Sequence, residues 1–203
     1  MTLFACATSV ILGSTSVFAQ AEPLASGGWE LRVYEIPSQR VLTTRKLVDG
    51  TEPYAVSAQG GVAVSAYETV AFWDRKQGWR TVPHFGLIRY DGQWMYGEST
   101  AADSGFFSPD GKHVLFRVYP TMGSSDLDSA AVTVFRFSDM RRWIPEDMSS
   151  NAKWLSSSTI AIETIDYEED SGSGTFKKIT GYKTVTLPKA SRDWVKAPKS
   201  ASR

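Results

Sequence analysis

The fold of this chain is decided by the segment Phe107-Ser108-Pro109-Asp110-Gly111-Lys112-His113-Val114-Leu115-Phe116. Pro109 presets its φ for a turn, Asp110 tolerates turn geometry, and Gly111 supplies a positive φ that other residues disfavour. An apolar run follows the turn directly, as the second strand of a β-hairpin does. The segment therefore predicts two antiparallel strands joined by a tight turn.

The same turn-then-strand pattern occurs twice more, at Val56–Val64 and at Trp154–Ile162. When the copies are aligned on Ser57, Ser108 and Leu155, they recur after 51 and 47 residues. Each copy is followed by a further apolar strand: Val70–Asp74, Val132–Phe137 and Tyr182–Leu187. A period near 50 residues with several strands per unit is typical of a β-propeller blade. The second copy also resembles the turn between the inner two strands of WD40-like and TolB-like blades.

The sequence pattern does not fix the number of blades. We expect an all-β chain, with a small or incomplete β-propeller-like arrangement of three to four antiparallel blades over residues 22–188. Further hairpins at 29–48 and 87–96 accompany the three repeats. Closed propellers have about 4–8 blades, so these hairpins either form a fourth blade of a ring or belong to an open arc. An open arc would leave an apolar face that needs a cap, a second copy or a partner.

The N-terminal segment has features of an export signal. Residues 1–21 carry no charge, contain the apolar run Leu3–Leu12, and end in an A-x-A motif formed by Ala19 and Ala21. This pattern predicts a signal peptide over 1–21, a mature chain from Glu22 and a periplasmic location. The usual basic residue before the apolar run is missing. Removal of this segment would also remove the single cysteine, which suits an oxidising compartment.

The composition excludes several classes of function. The 203 residues include 22 Lys and Arg against 22 Asp and Glu, so a basic surface for nucleic acid or an anionic membrane is not expected. One Cys and two His make a zinc cluster or a Cys–His nucleophile pair hard to build. We therefore predict no cofactor, no metal and no enzymatic activity. Residues 189–203, with five basic residues and one acidic residue, are predicted to be a disordered basic tail.

A long polar loop separates two of the predicted strands, 113–119 and 131–137. Blade hairpins use about 2–5 loop residues, whereas Thr121–Ser129 is longer, small and polar, with a flexible Gly123. A tolerated surface insertion is the ordinary interpretation. The functional interpretation is a protruding binding loop, because Ser124 and Ser125 carry donors and acceptors on short side chains that fit a narrow cleft.

A small exported all-β chain with a Gly123-Ser124-Ser125-Asp126 loop resembles the periplasmic immunity proteins of type VI secretion amidase effectors. The resemblance implies an inhibitor that occludes the active site of a secreted cell-wall peptidoglycan amidase with a Cys/His centre. In that family a loop with adjacent serines enters the amidase cleft. Carried over, Ser124 would contact the catalytic Cys and Ser125 the catalytic His. The predicted partner-binding residues are Tyr119, Met122, Gly123, Ser124, Ser125 and Asp126.

Two other classes of function stay open. One is a cell-envelope interaction module that self-associates, for example as a homodimer. The other is a hydrolase on a propeller scaffold, since His84 or His113 could meet a serine and a carboxylate in space. The acidic run Asp166–Asp170 lacks the alternating ligands and glycine turn of a calcium loop, and we expect a solvated hairpin tip there.

Overall fold

The computed structural model describes residues 16–48, 50, 52–66, 69–83, 87–90, 93–96, 102–118, 131–145, 152–170 and 174–196. These residues form sixteen strands and one short 3₁₀ turn at Ser191–Asp193. The strands are β1 (Val17–Pro23), β2 (Trp29–Glu35), β3 (Val41–Leu47), β4 (Tyr54–Val56), β5 (Val62–Ala66), β6 (Thr69–Asp74), β7 (Gly78–Pro83), β8 (Leu87–Tyr90), β9 (Gln93–Tyr96), β10 (Ala102–Phe107), β11 (His113–Val118), β12 (Ala131–Arg136), β13 (Arg142–Trp143), β14 (Ala152–Ser156), β15 (Thr159–Asp170) and β16 (Gly174–Thr186).

The strands form four antiparallel meanders and one separate hairpin. We name them the first sheet (β1–β3), the second sheet (β4–β7), the third sheet (β10–β13) and the fourth sheet (β14–β16). Strands β8 and β9 pair only with each other. The all-β, propeller-like arrangement of antiparallel blades is thus confirmed. The two extra hairpins do not share a blade, because 29–48 pairs with β1 while 87–96 is a two-stranded sheet.

The threefold recurrence predicted from the sequence is confirmed. The three turns join the first and second strands of the second, third and fourth sheets, at 57–61, 108–112 and 157–158. The further apolar strand predicted after each copy corresponds to β6, to β12 and to the end of β16. Turn chemistry is local, so a short sequence motif is enough to place each hairpin.

Three apolar clusters join the sheets in sequence order. Leu31 and Val33 of the first sheet pack with Val62, Val64 and Trp73 of the second. Between the second and third sheets the cluster contains Ala55, Ala63, Val70, Phe72, Val82, Val114, Phe116 and Phe135. Between the third and fourth sheets it contains Leu115, Val132, Val134, Ile160, Ile162, Leu187 and Trp194. None of these clusters has residues from both the first and the last sheet, so the described core is a stack of four sheets.

The outer face of the first sheet is polar. Arg32 lies between Glu22 and Glu30, with nitrogen–oxygen distances of 2.7 and 2.6 Å. The ring of Tyr34 stacks on Phe18 at a centroid distance of 4.7 Å. Because successive strand side chains point to opposite faces, the buried Leu31 and Val33 alternate with these residues.

The outer face of the fourth sheet is also covered by polar side chains. Lys153 Nζ lies 4.9 Å from the ring centroid of Tyr182, and the Tyr182 hydroxyl donates to Glu163 at 3.3 Å. Among the described residues, the outer faces of both end sheets thus carry charged side chains next to the exposed Val41 and Tyr182. Their alternating strands supply a polar face where the stack ends.

The described chain is ordered beyond both predicted domain boundaries. Residues 17–21, which the signal-peptide prediction would remove, lie in β1 and pair with β2. At the other end, residues 189–196 of the predicted disordered tail lie against the third sheet. Trp194 is 3% exposed, and Val195 forms an isolated β-bridge with Arg142. A buried Trp and a backbone bridge order this segment, which we call the strap (residues 188–196).

Candidate partner-binding site

The stack of sheets has two chemically different ends. At the turn end, short turns of neighbouring sheets touch: Phe137 Cζ would lie only 2.9 Å from a Cβ placed on Gly61. Trp154 Nε1 of the fourth sheet donates to the Phe106 carbonyl of the third sheet at 2.9 Å. Because the strands are antiparallel meanders, the connections β5–β6, β11–β12 and β15–β16 leave from the opposite end, which we call the loop end.

Two equivalent serines brace the turns at the turn end. The Gly61 amide donates to Ser57 Oγ at 2.8 Å, and the His113 amide donates to Ser108 Oγ at 3.0 Å. Ser108 Oγ also donates to Asp110 Oδ1 at 2.8 Å. Both serines are buried, so each hydroxyl satisfies a backbone amide that would otherwise be unpaired. The Ser of the F-S-P-D-G motif is thus part of the turn structure.

Charged side chains tie the turns of neighbouring sheets together. Arg75 Nη2 of the second sheet lies 2.6 Å from Glu35 of the first, and this hydrogen bond, with a second from Ser38, holds the pKa of Glu35 below its ordinary value. Arg80 contacts Asp74 at 2.9 Å and donates to the Phe137 carbonyl at 3.2 Å. Because these arginines bind acidic side chains and a carbonyl of this same chain, they hold the turns of neighbouring sheets together at the turn end.

His113, a candidate general base in the hydrolase alternative, packs against the strap. Its ring stacks on Trp194 at a centroid distance of 5.4 Å, and Nδ1 is buried without a hydrogen-bond partner. Burial lowers the pKa of His113 below its ordinary 6.5. The carboxyl group of Asp110, which acts on this ring electrostatically, is hydrogen-bonded to Ser108 and to the Lys112 amide. The described environment holds this imidazole as a neutral packing group without the orienting partner of a triad. His84, the other candidate, lies outside the described residues.

Arg136 and Arg141 hold the same strap from the third sheet. Arg136 Cζ lies 5.2 Å from the ring centroid of Trp194, and its hydrogen bonds to Asp139 lower the pKa of that carboxyl. Arg141 Nη1 donates to the Ser191 carbonyl at 3.3 Å. Two arginines of the third sheet thus contact the strap, one at Trp194 and one at Ser191. The docking of the strap was not predicted from the sequence. The signal for it was Trp194, a large apolar residue within an otherwise basic segment.

The predicted partner-binding loop leaves from the loop end of the third sheet. Strand β11 ends at Val118 and β12 begins at Ala131, and these two residues are paired in the register. The connection between them is residues 119–130. It contains every predicted partner-binding residue: Tyr119, Met122, Gly123, Ser124, Ser125 and Asp126. All six lie outside the described residues.

The two strands that flank this loop are deeply buried wherever the structure describes their side chains. Phe116 in β11 and Val132, Val134 and Phe135 in β12 are fully buried, with 0% exposure. Thr133 between them is 1% exposed. Strands that are buried on both faces and paired on both sides have little freedom to move. The described parts of β11 and β12 are therefore a rigid part of the third sheet.

A second long element lies at the same end of the fourth sheet. Strand β14 pairs with β15 only as far as Ile162, whereas β15 and β16 stay paired to Asp170 and Gly174. The eight residues from Glu163 to Asp170 extend about 26 Å at roughly 3.3 Å per residue. By contrast, the equivalent β5–β6 connection of the second sheet spans only residues 67–68. The long elements of the third and fourth sheets thus extend from the loop end.

The described residues carry neither a metal-ligand cluster nor a membrane-spanning helix. Within the described ranges, no group of three or more His, Cys, Asp or Glu could hold a metal ion. The acidic run Asp166–Asp170 lies in the paired part of β15. No helix among the described residues is long and apolar enough to cross a bilayer.

Comparisons with known proteins add little to this geometry. No family model and no curated protein matches the chain. Among solved structures, the crystal structure of Kluyvelomyces marxianus Hsv2 is similar at 10% sequence identity, covering 76% of this chain and 78% of that chain, with a TM-score of 0.25. A TM-score this low bears on neither fold nor function.

Proposed function

We propose that this chain is a periplasmic immunity protein that binds a secreted cell-wall peptidoglycan amidase and occludes its active site. The observation that carries the proposal is the connection 119–130, which contains Gly123-Ser124-Ser125-Asp126 and leaves from paired, buried strands. A loop on a rigid base loses less conformational freedom on binding than a loop on a mobile one. The braced turn end supports this role by fixing the scaffold.

In the proposed mechanism the loop acts as a plug. Ser124 occupies the space beside the nucleophilic Cys, and the Ser125 hydroxyl forms a hydrogen bond with the catalytic imidazole. Water and peptidoglycan are then kept from the amidase centre. In this arrangement a serine hydroxyl and not a scissile bond lies at the nucleophile, so inhibition is stoichiometric and the inhibitor is not consumed.

The energetics of such a plug are ordinary for protein–protein interfaces. A standard interface buries about 1,600 Å², and nanomolar affinity corresponds to about 12 kcal/mol. Loss of one hydroxyl whose partner stays buried costs about 1–3 kcal/mol. The double loss of Ser124 and Ser125 should therefore weaken inhibition by tenfold or more.

The test starts with a pull-down from envelope extracts of the source bacterium, with this chain as bait. We expect a Cys/His amidase whose hydrolysis of peptidoglycan is blocked at one equivalent of inhibitor. The variant carrying Ser124→Ala and Ser125→Ala should bind and inhibit at least tenfold more weakly. The matched control replaces Ser157 and Ser158, an adjacent pair in the β14–β15 turn at the turn end, and should inhibit like wild type. Full inhibition by the loop variant would contradict the assignment of the loop.

Self-association is the second candidate function, and one observation favours it. Strand β16 is the last strand of the fourth sheet, and Tyr182, Lys183 and Thr184 on it are exposed. A free strand edge can pair with another chain. Sedimentation of the pure protein separates the two candidates, because a concentration-dependent dimer without amidase binding would favour self-association.

A further inference from the structure

We infer that export processing leaves strand β1 intact, so that the signal peptide is cleaved before Val17 rather than after Ala21. This inference rests on the proposed export to the periplasm. It concerns a processing site, and it is an alternative to the mature start at Glu22 that the A-x-A motif predicts. Three sets of contacts made by β1 carry it.

The backbone of β1 is paired along its whole length. All seven residues of β1 have register partners in β2, from Val17 opposite Glu35 to Pro23 opposite Trp29. Cleavage after Ala21 would remove five of these seven pairs. It would make β2 an edge strand, with the backbone groups opposite residues 17–21 left without their partners.

The inner face of β1 belongs to the core between the first and second sheets. Val17 is 8% exposed and packs in the cluster that contains Leu31 and Val33. Ala19 lies opposite Val33, and Ala21 lies opposite Leu31. Small residues at alternate positions suit a strand whose inner face lies against a packed sheet. The A-x-A spacing therefore has a complete structural explanation that does not involve a peptidase.

The outer face of β1 completes the polar cover of the first sheet. Phe18 stacks on Tyr34 with an interplanar angle of 10°. Glu22, on the same face, receives hydrogen bonds from Arg32 and from the Tyr34 hydroxyl. Removal of residues 17–21 would uncover one side of the Tyr34 ring. It would also place a new ammonium group on Glu22, beside Arg32.

A cleavage site upstream of β1 is present in the sequence. Ser14 and Ser16 are small residues at the −3 and −1 positions of the Ser16–Val17 bond, as signal peptidase requires. Hydrolysis there consumes one water molecule and yields a carboxyl group on Ser16 and an amine on Val17. The new chain would begin at the first residue of β1.

The direct test is the N-terminus of the exported protein. The full chain with a C-terminal tag is expressed in a Gram-negative host, released from the periplasm and measured by intact mass and N-terminal sequencing. We expect a chain that starts at or upstream of Val17. A start downstream of Val17, at Glu22 above all, would overturn the inference. Retention of the chain in the cytoplasm would instead count against the proposed export.

A matched pair of substitutions in β1 gives an independent test. Val17→Asp places a charge in the core, whereas Gln20→Asp changes an exposed residue of the same strand. If β1 is retained, the exported Val17→Asp protein should melt at least 5 °C lower than wild type, and Gln20→Asp should melt near wild type. If processing occurs after Ala21, both variants yield the same mature protein and their melting temperatures coincide. That coincidence would overturn the inference whatever the export efficiency.

Discussion

Replacement of Trp194 by Ala should destabilise the protein by about 3 kcal/mol. Trp194 is 3% exposed, stacks on His113, lies under Arg136, and donates from Nε1 to the Pro188 carbonyl at 3.0 Å. Trp→Ala changes in cores cost about 3–5 kcal/mol. We take the lower value because the strap is near the chain end and can undock locally, which limits the loss.

The assay for this prediction is urea unfolding followed by far-ultraviolet circular dichroism. With a urea dependence of about 2 kcal/mol per molar, the midpoint of Trp194→Ala should fall by about 1.5 M. The control is Arg192→Ala in the same strap, whose guanidinium is 89% exposed and 3.9 Å from Asp193. Its midpoint should change by less than about 0.3 M, as for most surface residues. An equally small change for Trp194→Ala would refute the docked strap.

Two further predictions follow from the turn end. Ser57→Ala and Ser108→Ala should each lower the free energy of unfolding by about 1–3 kcal/mol, because each leaves a buried amide unpaired; urea unfolding checks this, with Ser38→Ala as the exposed control. The stability should also fall as the pH drops below about 6.5, the ordinary pKa of an imidazole. Burial lowers the pKa of folded His113 below 6.5, so the unfolded chain binds the proton more tightly. Asp110, Lys112 and Arg136 are the charges that act on this ring. His113→Gln should flatten the slope in this window, and an unchanged slope would refute the assignment.

The hairpins of the blades could be predicted from the sequence because their signals are local. The F-S-P-D-G turn and the apolar strand after it fix one hairpin, and its degenerate copies place two more. The alternating pattern of β2 also indicates that the first sheet lies at one end of the stack. In β2, polar Glu30 and Arg32 alternate with Leu31 and Val33, whereas β6 is apolar over Val70–Trp73 and buried on both faces. An alternating strand covers an end of the stack, and a continuous apolar strand lies inside it.

The strap and the role of β1 could not be predicted from local patterns. Trp194 is buried by His113 and Arg136, which are distant in sequence, so a basic C-terminal segment looked like a tail. In β1, Ala19 and Ala21 satisfy both a peptidase motif and the inner face of a strand. The proposed partner-binding loop, residues 119–130, could be predicted in part. Its length and its position at the loop end follow from the strand pattern, while Ser124 and Ser125 rest on the resemblance alone.

The most direct test of the account is hydrogen–deuterium exchange of this chain, alone and bound to the amidase captured by the pull-down. The account predicts slower exchange in peptides that cover residues 119–130, with turn-end peptides at 108–112 and 137–141 unchanged. Slower exchange at the turn end, with residues 119–130 unaffected, would contradict the claim that the loop end presents the plug.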